Sequence, residues 1–287
     1  MKPMIKYRGG KSKEIPAFER YIPASFDRYI EPFLGGGAVL FHLCPERALI
    51  NDINPNLMLF YRQIRDNYET VRRQLDELQA IYEANQRDYA ALKALHPDDR
   101  VENRNEALYY ELRDMYNGKI PSKYLYAVIY FFINKTAYSG MIRYNAAGEY
   151  NVPFGRYQNF NTQLITLQHK DLLQRSELYE GDYSTIFEMA TERDFMFLDP
   201  PYDCIFHDYG NIPTQGNGFD EQDHRRLAAD FRLLKCKALM IIGRTPLTEE
   251  LYGDLIRGEY EKSYAVNIRN RFKSESKHII VTNYIAG

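Results

Sequence analysis

The hydrophobic and polar positions of this chain alternate between the period of a strand and the period of a helix. Short apolar runs, which are typical of buried strands, predict strands at 27–31, 48–51, 178–180, 195–198 and 238–242. Apolar residues at helical spacing predict an amphipathic helix over 71–82 and further helices at 38–44, 55–67, 106–116, 124–134, 220–234 and 246–257. The stretches 260–268 and 278–284 predict a closing hairpin. Strands that alternate with helices favour a mostly parallel α/β sheet, which binds ligands at the carboxyl ends of its strands.

The alternation is interrupted in the middle of the chain. From about residue 68 to residue 138 the pattern is helical, and Gly and Asn then punctuate the stretch 139–161, which is typical of loops or a hairpin. We therefore expect one α/β domain made of residues 1–67 and 165–287, with an inserted subdomain at 68–164.

The composition is that of an ordinary globular protein. Hydrophobic residues make up 45% of the 287 residues and charged residues 26%, which excludes a disordered or collagen-like chain. The longest apolar run, 124–133, is half of the roughly 20 residues that a membrane helix needs, and the first residues lack the apolar core of a secretory signal. Three cysteines without a C-x-x-C pair predict reduced thiols and no metal site, so we expect a cytoplasmic protein without a membrane partner.

The net charge of −2 conceals an uneven distribution. Residues 1–13, 119–160 and 262–278 carry net charges of +5, +4 and +4, so the remaining residues carry −15. One interpretation is a basic face on an acidic body, which would attract a polyanion such as nucleic acid. The other interpretation, three unrelated solvated stretches, stays open on charge alone.

A glycine turn follows the first predicted strand. Gly35, Gly36 and Gly37 precede the helix at 38–44, so the backbone can approach a ligand where side chains would clash. Asp52 ends the next strand, 17 residues after Gly35, near the ~20-residue spacing at which an acid binds the ribose hydroxyls of a nucleotide. This order favours nucleoside binding, and the alternative is a tight turn followed by a surface carboxylate.

The tetrapeptide D-P-P-Y, residues 199–202, follows the predicted strand 195–198 directly. Two consecutive prolines cannot continue a sheet, and they hold the backbone in an extended conformation. The Asp199 carboxylate and the Pro200 carbonyl both accept hydrogen bonds, and the Tyr202 ring offers a stacking face. Two acceptors beside an aromatic face suit an amino group on a flat heterocycle. The alternative is an ordinary end of a strand.

These motifs resemble those of the Dam-like (D12 class) DNA adenine-N6 methyltransferases, and the resemblance covers essentially the full length. The motifs stand in the order of that family: IKYRGGK, EPFLGGGAVLF, NDIN, NKTAYSGMIRYNAAGEYNVPFGRY, GDYSTIF and LDPPY. The resemblance implies a class I S-adenosylmethionine-dependent methyltransferase fold, a Rossmann-like sheet with an inserted, mostly helical DNA-recognition subdomain. It implies site-specific transfer of a methyl group from S-adenosylmethionine to N6 of an adenine flipped out of double-stranded DNA, without a metal.

The resemblance also implies a cofactor site. Tyr7 and Lys11 would contact the cofactor, with Lys11 near its carboxylate end or near D-P-P-Y. The first strand and its turn would cradle the methionine part, Asp52 would hold the ribose, and Ile53 would lie against the adenine. Asp182 would accept a hydrogen bond from the adenine amino group. The implied cofactor contacts are Tyr7, Lys11, Glu31, Phe33, Gly35, Gly37, Asp52, Ile53, Asp182 and Asp199.

Target recognition is implied in two further groups of residues. Asp199, Pro200 and Tyr202 would bind the target adenine as the catalytic residues. The implied DNA contacts are Lys6, Tyr138, Ser139, Met141, Arg143, Pro153, Arg271 and Lys273. Arg143 is our first candidate for a guanine contact, and its alternative is a structural ion pair. For Tyr138 and Met141 the alternative is the subdomain core.

The resemblance further implies a monomer that is located in the bacterial nucleoid or encoded by a phage. A cognate restriction endonuclease could accompany it, and GATC is the family-level expectation for the recognition sequence. Family members often have Asn where Ser139 stands and Trp where Tyr7 stands, and 80–105 is longer than in the shortest members. The competing interpretations are a methyltransferase acting on RNA or on a protein glutamine amide, and a DNA-binding protein with a vestigial catalytic fold. A nicotinamide-dependent dehydrogenase would leave D-P-P-Y unexplained.

Overall fold

A computed structural model describes residues 1–140, 143–202, 219–262 and 276–285 of the protein. Within them the helices are α1 Ile15–Phe18, α2 Ala38–Leu43, α3 Pro55–Asp66, α4 Tyr68–Leu95, α5 Arg104–Tyr116, α6 Tyr126–Thr136, α7 Leu167–Gln174, α8 Tyr183–Glu188, α9 Glu221–Leu233 and α10 Pro246–Tyr252. The strands are β1 Tyr29–Glu31, β2 Ala48–Asp52, β3 Ser176–Glu180, β4 Phe195–Leu198, β5 Lys237–Gly243, β6 Ile256–Lys262 and β7 Ser276–Thr282. Met141, Arg271, Lys273 and the segment 203–218 lie outside the described residues.

The chain divides into two compact units. The helical unit contains Met1–Gly9 and Asn56–Gln174, and therefore nearly all of α3 and the whole of α4 to α7. The sheet unit contains Gly10–Pro55 and the described residues from Arg175 onward. The helical unit thus holds more of the chain than the predicted insert at 68–164, and the roles of the two units in recognition and catalysis stay predictions.

The strands of the sheet unit form one sheet in the order β3-β2-β1-β4-β5-β7-β6. The first five strands in this order are parallel, and β7 pairs antiparallel with both β5 and β6. Every residue of β1, β2 and β4 is buried, which explains why these strands appear in the sequence as short apolar runs. The predicted mostly parallel α/β sheet and the antiparallel pairing of its tail strands are confirmed.

Two helices of the sheet unit, α9 and α10, begin at capping boxes. Asp220 and Asp223 form a capping box at the start of α9, and Thr245 and Thr248 form one at the start of α10. The helix predicted over 246–257 is wrong at its end, because α10 stops at Tyr252 and the chain from Ile256 pairs with β7. An amphipathic pattern does not reveal this change, since residues 256 and 257 fit a helix face as well as a strand.

The helical unit is built around α6, of which almost every residue is buried. Phe132 of α6 packs on Tyr82 of α4 and on Phe160, with ring centroids 6.1 Å and 4.9 Å apart. Tyr109 of α5 donates a hydrogen bond to the Val152 carbonyl at 2.8 Å, which ties the loop-rich stretch to the helices. In the described part of the chain, none of the helices has the length and apolar character needed to cross a membrane.

Candidate active site

The carboxyl ends of neighbouring parallel strands gather the predicted site residues of the sheet unit. In the order β3-β2-β1-β4, strand β2 ends at Asp52, β1 ends at Glu31, and Asp199 follows the last residue of β4. Because these strands run in the same direction, their carboxyl ends lie along one edge of the sheet. The parallel arrangement of the strands therefore brings together three acids that are far apart in the sequence.

The glycine turn after β1 depends on backbone conformations that favour glycine. Gly35 and Gly37 have φ values of 48° and 66°. A Cβ atom on Gly37 would lie 2.7 Å from Cε2 of Phe41, inside the van der Waals limit. The turn ends in α2, and the Gly35 N–H donates to Oδ2 of Asp52 at 2.8 Å. The turn and the acid predicted to bind one nucleoside are therefore in direct contact.

Asp52 is a buried carboxylate, which excludes the alternative of a surface acid. Asp52 is 8% exposed, and its Oδ1 accepts a hydrogen bond from the Asn54 N–H at 2.9 Å. Burial raises the pKa of Asp52, although the backbone hydrogen bonds from Asn54 and Gly35 oppose that shift. The next residue, Ile53, is 41% exposed and offers an apolar surface at the same edge.

Asn51 is a site residue that the sequence analysis did not single out. Its Nδ2 donates to the carbonyls of Pro32 and Gly181, each at 3.0 Å. These carbonyls follow β1 and β3, so one amide side chain connects the ends of three neighbouring strands. The sequence signal was its place beside Asp52, as the first residue of the NDIN motif.

Glu31 ends β1, four residues before the glycine turn begins at Gly35. It is 2% exposed, and the Tyr29 hydroxyl donates to its Oε2 at 2.9 Å. Burial raises the pKa of Glu31 well above its usual range; the Tyr29 hydrogen bond opposes this, while the nearby charge of Asp199 adds to it. Burial therefore disfavours the charged form of Glu31, and a nearby cation would favour it.

The D-P-P-Y corner carries an ion pair that local patterns do not show. Lys11 Nζ lies 2.6 Å from both carboxylate oxygens of Asp199, and the lysine side chain is 2% exposed against 21% for the acid. The Tyr202 hydroxyl donates to Asp199 Oδ1 at 3.3 Å, and Lys11 Nζ lies 5.0 Å from the centre of the Tyr202 ring. Of the two positions expected for Lys11, the structure shows the one beside D-P-P-Y.

Asp182 caps helix α8. Its carboxylate accepts the Ser184 N–H at 3.0 Å and pairs with Arg226 of α9 at 2.8 Å. Burial acts to raise its pKa, but the hydrogen bonds from Arg226 and Ser184 outweigh burial and lower the pKa. The Tyr183 ring beside it lies 5.4 Å from the Phe33 ring, so the turn after β1 and the start of α8 are in contact. Arg226 was not predicted as part of the site.

The predicted DNA contacts that the structure describes gather within the helical unit. The Tyr138 N–H donates to the Pro153 carbonyl at 2.9 Å, and antiparallel bridges join Ala137 to Phe154 and Tyr144 to Tyr150. Tyr138 is 56% exposed, which excludes the alternative that its ring belongs to the core. The predicted hairpin-like stretch is confirmed by these bridges.

Lys6 and Ser139 lie beside the same stretch. Asn134 exchanges two hydrogen bonds of 2.8 Å with the Lys6 backbone, and Lys6 Nζ lies 4.3 Å from the centre of the Tyr157 ring. A Cβ on Gly140 would lie 2.6 Å from Lys6 Cδ, so the lysine touches the turn that holds Ser139. Ser139 has a φ of 56°, a left-handed conformation that is uncommon outside glycine and asparagine.

Arg143 is exposed, and its Nε donates to Asn151 Oδ1 at 2.9 Å. Within the described residues it forms no ion pair, contrary to the structural alternative. Part of the charge of the surrounding window is paired: Lys119 pairs with Glu149, which the window count already includes, and Lys123 pairs with Glu111, which lies outside the window and lowers the charge below that count. Burial, with the charge of Lys6, also lowers the pKa of Lys135 to about 8.

Two further predictions have limited outcomes. Among the residues that the structure covers, no three His, Cys, Asp or Glu side chains converge as metal ligands would. Met141, Arg271 and Lys273 lie outside the described ranges.

A parallel sheet with a glycine turn and acids at its carboxyl edge defines the nucleotide-binding class of doubly wound α/β enzymes. The chain belongs to the D12 class N6 adenine-specific DNA methyltransferases, whose family model matches residues 7–268. This confirms the resemblance seen in the motifs, with the class I methyltransferase fold. The protein is therefore an adenine-specific DNA methyltransferase, in a family that uses S-adenosylmethionine as methyl donor.

Individual relatives agree with this assignment. The chain is 35% identical to the type II methyltransferase M.CviBI of Paramecium bursaria Chlorella virus NC1A, over 99% of this chain and 100% of that protein. It is 30% identical to the type II methyltransferase M.MjaIII of Methanocaldococcus jannaschii, over 90% and 89% of the two chains. It is 26% identical to the DNA adenine methylase of Haemophilus influenzae, over 95% and 91%.

Proposed function

We propose that the carboxyl edge of the sheet binds S-adenosylmethionine and an adenine turned out of double-stranded DNA, and that the D-P-P-Y corner presents the N6 amino group for methylation. The observation that carries this proposal is the placement of Asp199, with Lys11 on its carboxylate, one strand away from the glycine turn and Glu31. An acceptor for an amino group and a nucleoside-binding turn therefore share one edge.

The side chains at this edge fit the cofactor. Asp52 is a buried acceptor for ribose hydroxyls, and Glu31 is a carboxyl group that a cation would ionise. Ile53 and Phe33 offer apolar surface, and Asp182 offers a carboxylate for an adenine amino group. When bound, S-adenosylmethionine supplies a methyl group on a positively charged sulfur. The proposed contacts are completed by Tyr7, Gly35 and Gly37.

Asp199 and Pro200 act on the amino group of the target base. A carboxylate offers about four lone-pair positions, so the Lys11 ammonium and the Tyr202 hydroxyl leave Asp199 able to accept another hydrogen bond. With the Pro200 carbonyl as second acceptor, both N–H groups are held, which favours a tetrahedral nitrogen and directs its lone pair away from the corner. Catalysis is then positioning together with electrostatic stabilisation of the developing ammonium.

Tyr202 compensates part of the cost of turning the base out. Removing an adenine from the duplex costs a few kcal/mol, and stacking on an aromatic ring returns roughly 1–3 kcal/mol. The Tyr202 ring is 9% exposed and its hydroxyl is tied to Asp199, so it is ordered before the base arrives. Less entropy is then lost when the base binds.

The exposed residues of the helical unit would contact DNA. The predicted DNA contacts that lie outside the described ranges, Met141, Arg271 and Lys273, belong to the same proposal. Arg143 is exposed and forms no ion pair within the described residues, so its guanidinium is available for two hydrogen bonds to guanine, worth about 1–3 kcal/mol of discrimination. Tyr138 is an exposed ring on the same stretch. The proposed DNA contacts are Lys6, Tyr138, Ser139, Met141, Arg143, Pro153, Arg271 and Lys273.

The test is methylation by the wild-type protein and by Asp199→Ala. Sequencing that detects N6-methyladenine in DNA from expressing cells gives the activity, the base and the recognition sequence together. We expect Asp199→Ala to abolish methylation while calorimetry still detects S-adenosylmethionine binding. Asp171→Ala, the same substitution at an exposed position of α7, should methylate normally.

Two outcomes would overturn the proposal. Near-normal turnover by Asp199→Ala would remove the acid from the reaction. Incorporation of labelled methyl groups into RNA, with none into duplex DNA, would assign a different substrate.

The names of two relatives as type II methyltransferases support a cognate restriction endonuclease as partner, and the proposed monomeric state is checked by sedimentation.

A further inference from the structure

His278 is a polar residue buried in an apolar strand. It lies in β7, is fully buried, and is followed by Ile279, Ile280 and Val281. Burying an imidazole costs free energy unless its nitrogen atoms find partners, a cost that an aliphatic side chain at this position would not have. Nδ1 has hydrogen-bond partners, whereas Nε2 is buried without one among the described residues, so the contacts of Nδ1 and of the ring must explain why a histidine stands here.

Glu14 and Tyr260 hold the imidazole. His278 Nδ1 lies 2.9 Å from Glu14 Oε2, and the Tyr260 hydroxyl donates to the same oxygen at 2.7 Å. Because a carboxylate only accepts hydrogen bonds, this contact favours a proton on Nδ1. Tyr260 is the cross-strand partner of His278, and their ring centroids lie 5.4 Å apart. The plane of the imidazole is therefore determined from two directions.

The same imidazole contacts the ring of Tyr202. The two ring centroids are 5.0 Å apart, and the planes meet at 75°, which is an edge-to-face arrangement. The Glu14 N–H donates to the Lys11 carbonyl at 2.7 Å, so these two residues belong to one turn. The Lys11 side chain of this turn contacts Asp199, and the Glu14 side chain contacts the imidazole of His278. One turn therefore contacts the acid of the D-P-P-Y corner directly and reaches its Tyr202 ring through His278.

We infer that His278, held by Glu14, is a positioning residue that sets the plane of the Tyr202 ring for stacking on the target adenine. The inference rests on the proposed role of Tyr202. The hydrogen bond to Asp199 restrains the hydroxyl end of that side chain, and the edge-to-face contact restrains rotation of the ring together with the Lys11 ammonium near the ring centre. Without the edge-to-face contact the ring plane is less restrained, and fewer bases reach the productive pose.

The test compares His278→Gln with His278→Phe. His278→Gln keeps a polar side chain near Glu14 but removes the ring, and kcat should fall by about 10-fold to 100-fold, the range for a misplaced reacting group. The dissociation constant of S-adenosylmethionine should not change. With 2-aminopurine at the target position, fluorescence should rise because stacking quenches the probe less. His278→Phe restores a ring edge against Tyr202 and should recover part of kcat.

Two variants separate positioning from folding. Thr282→Val removes another buried polar group from β7 that does not contact Tyr202, and it should lose stability without losing kcat. Glu14→Ala removes the oxygen that holds Nδ1 and should lower kcat with His278 still present, which tests the inference even where His278→Gln does not fold.

The outcomes also separate this inference from the proposed function. Unchanged kcat in His278→Gln, or equal kcat losses in His278→Gln and Thr282→Val, would overturn the positioning role. If Tyr202→Ala abolishes methylation while His278→Gln does not affect it, only the positioning role fails. If Tyr202→Ala methylates at the normal rate, the proposed function fails first.

Discussion

The ion pair between Lys11 and Asp199 can be broken from either side, and we expect the two sides to differ. The lysine side chain is 2% exposed, whereas the aspartate is 21% exposed. Asp199→Asn keeps the shape of the corner and leaves a buried ammonium facing a neutral amide. Lys11→Met removes the ammonium with little change of volume and leaves a carboxylate that water partly reaches.

The burial of each partner sets the expected loss of unfolding free energy. Removing one partner of a buried ion pair costs about 3–5 kcal/mol, and the charge that stays behind in Asp199→Asn is the fully buried one. In Lys11→Met the remaining carboxylate recovers some hydration, so we expect about 1–3 kcal/mol, the cost of a charged group that lost one partner. The double variant removes both charges and should be more stable than Asp199→Asn by about 1 kcal/mol or more.

Urea unfolding of the four proteins measures these differences. Asp66→Asn serves as a matched control, because Asp66 pairs with Arg65 at the surface and its loss should cost at most about 1 kcal/mol. Strictly additive losses in the double variant would refute the reasoning. So would an Asp199→Asn protein that is as stable as Lys11→Met, since the buried ammonium would then cost nothing.

Other expected outcomes concern the cofactor, the turn and the guanine contact. Burial raises the pKa of Glu31 well above its usual range, so a cationic ligand that ionises this residue releases a proton. Affinity for S-adenosylmethionine should therefore rise with pH up to the pKa of Glu31 in the free enzyme. Glu31→Gln should abolish this dependence, as measured by calorimetry in two buffers. Ser139→Asn should raise the unfolding free energy by up to about 1 kcal/mol in urea titrations, because asparagine tolerates the positive φ; a loss would argue that the serine hydroxyl matters more. Arg143→Ala should lose about 1–3 kcal/mol of discrimination at one base pair, measured on duplexes with single substitutions, whereas equal losses at every position would indicate a phosphate contact.

The chemistry-bearing residues of the sheet edge could be found from the sequence because they follow short buried strands. Asp52 and Asp199 each stand where an apolar run ends, and parallel pairing places such positions at one edge. The glycine turn was visible for the same reason. These features are local, so neighbouring residues in the sequence are enough to predict them.

Contacts between distant parts of the chain could not be found in this way. Lys11 and Asp199 are 188 residues apart, and Glu14 and His278 are 264 residues apart, so no periodicity connects them. A charge window misses one ion pair for a related reason. Lys123 counts as basic in its window, but Glu111, which lies outside that window, pairs with it.

Four acids of the sheet edge belong to the proposed site, although the proposed substrate is a polyanion; Glu180, which ends β3, is a further and exposed acid at this edge. The four acids are compensated in two ways within the sheet unit. Burial raises the pKa of Glu31 and of Asp52, which disfavours their charged forms, whereas Asp182 pairs with Arg226 and Asp199 pairs with Lys11. The four acids therefore offer many hydrogen-bond acceptors, while burial or a basic partner opposes their negative charge. Such groups can accept hydrogen bonds from a nucleoside and from an amino group with less repulsion of phosphates, and a bound cation would favour the charged form of Glu31 that burial disfavours.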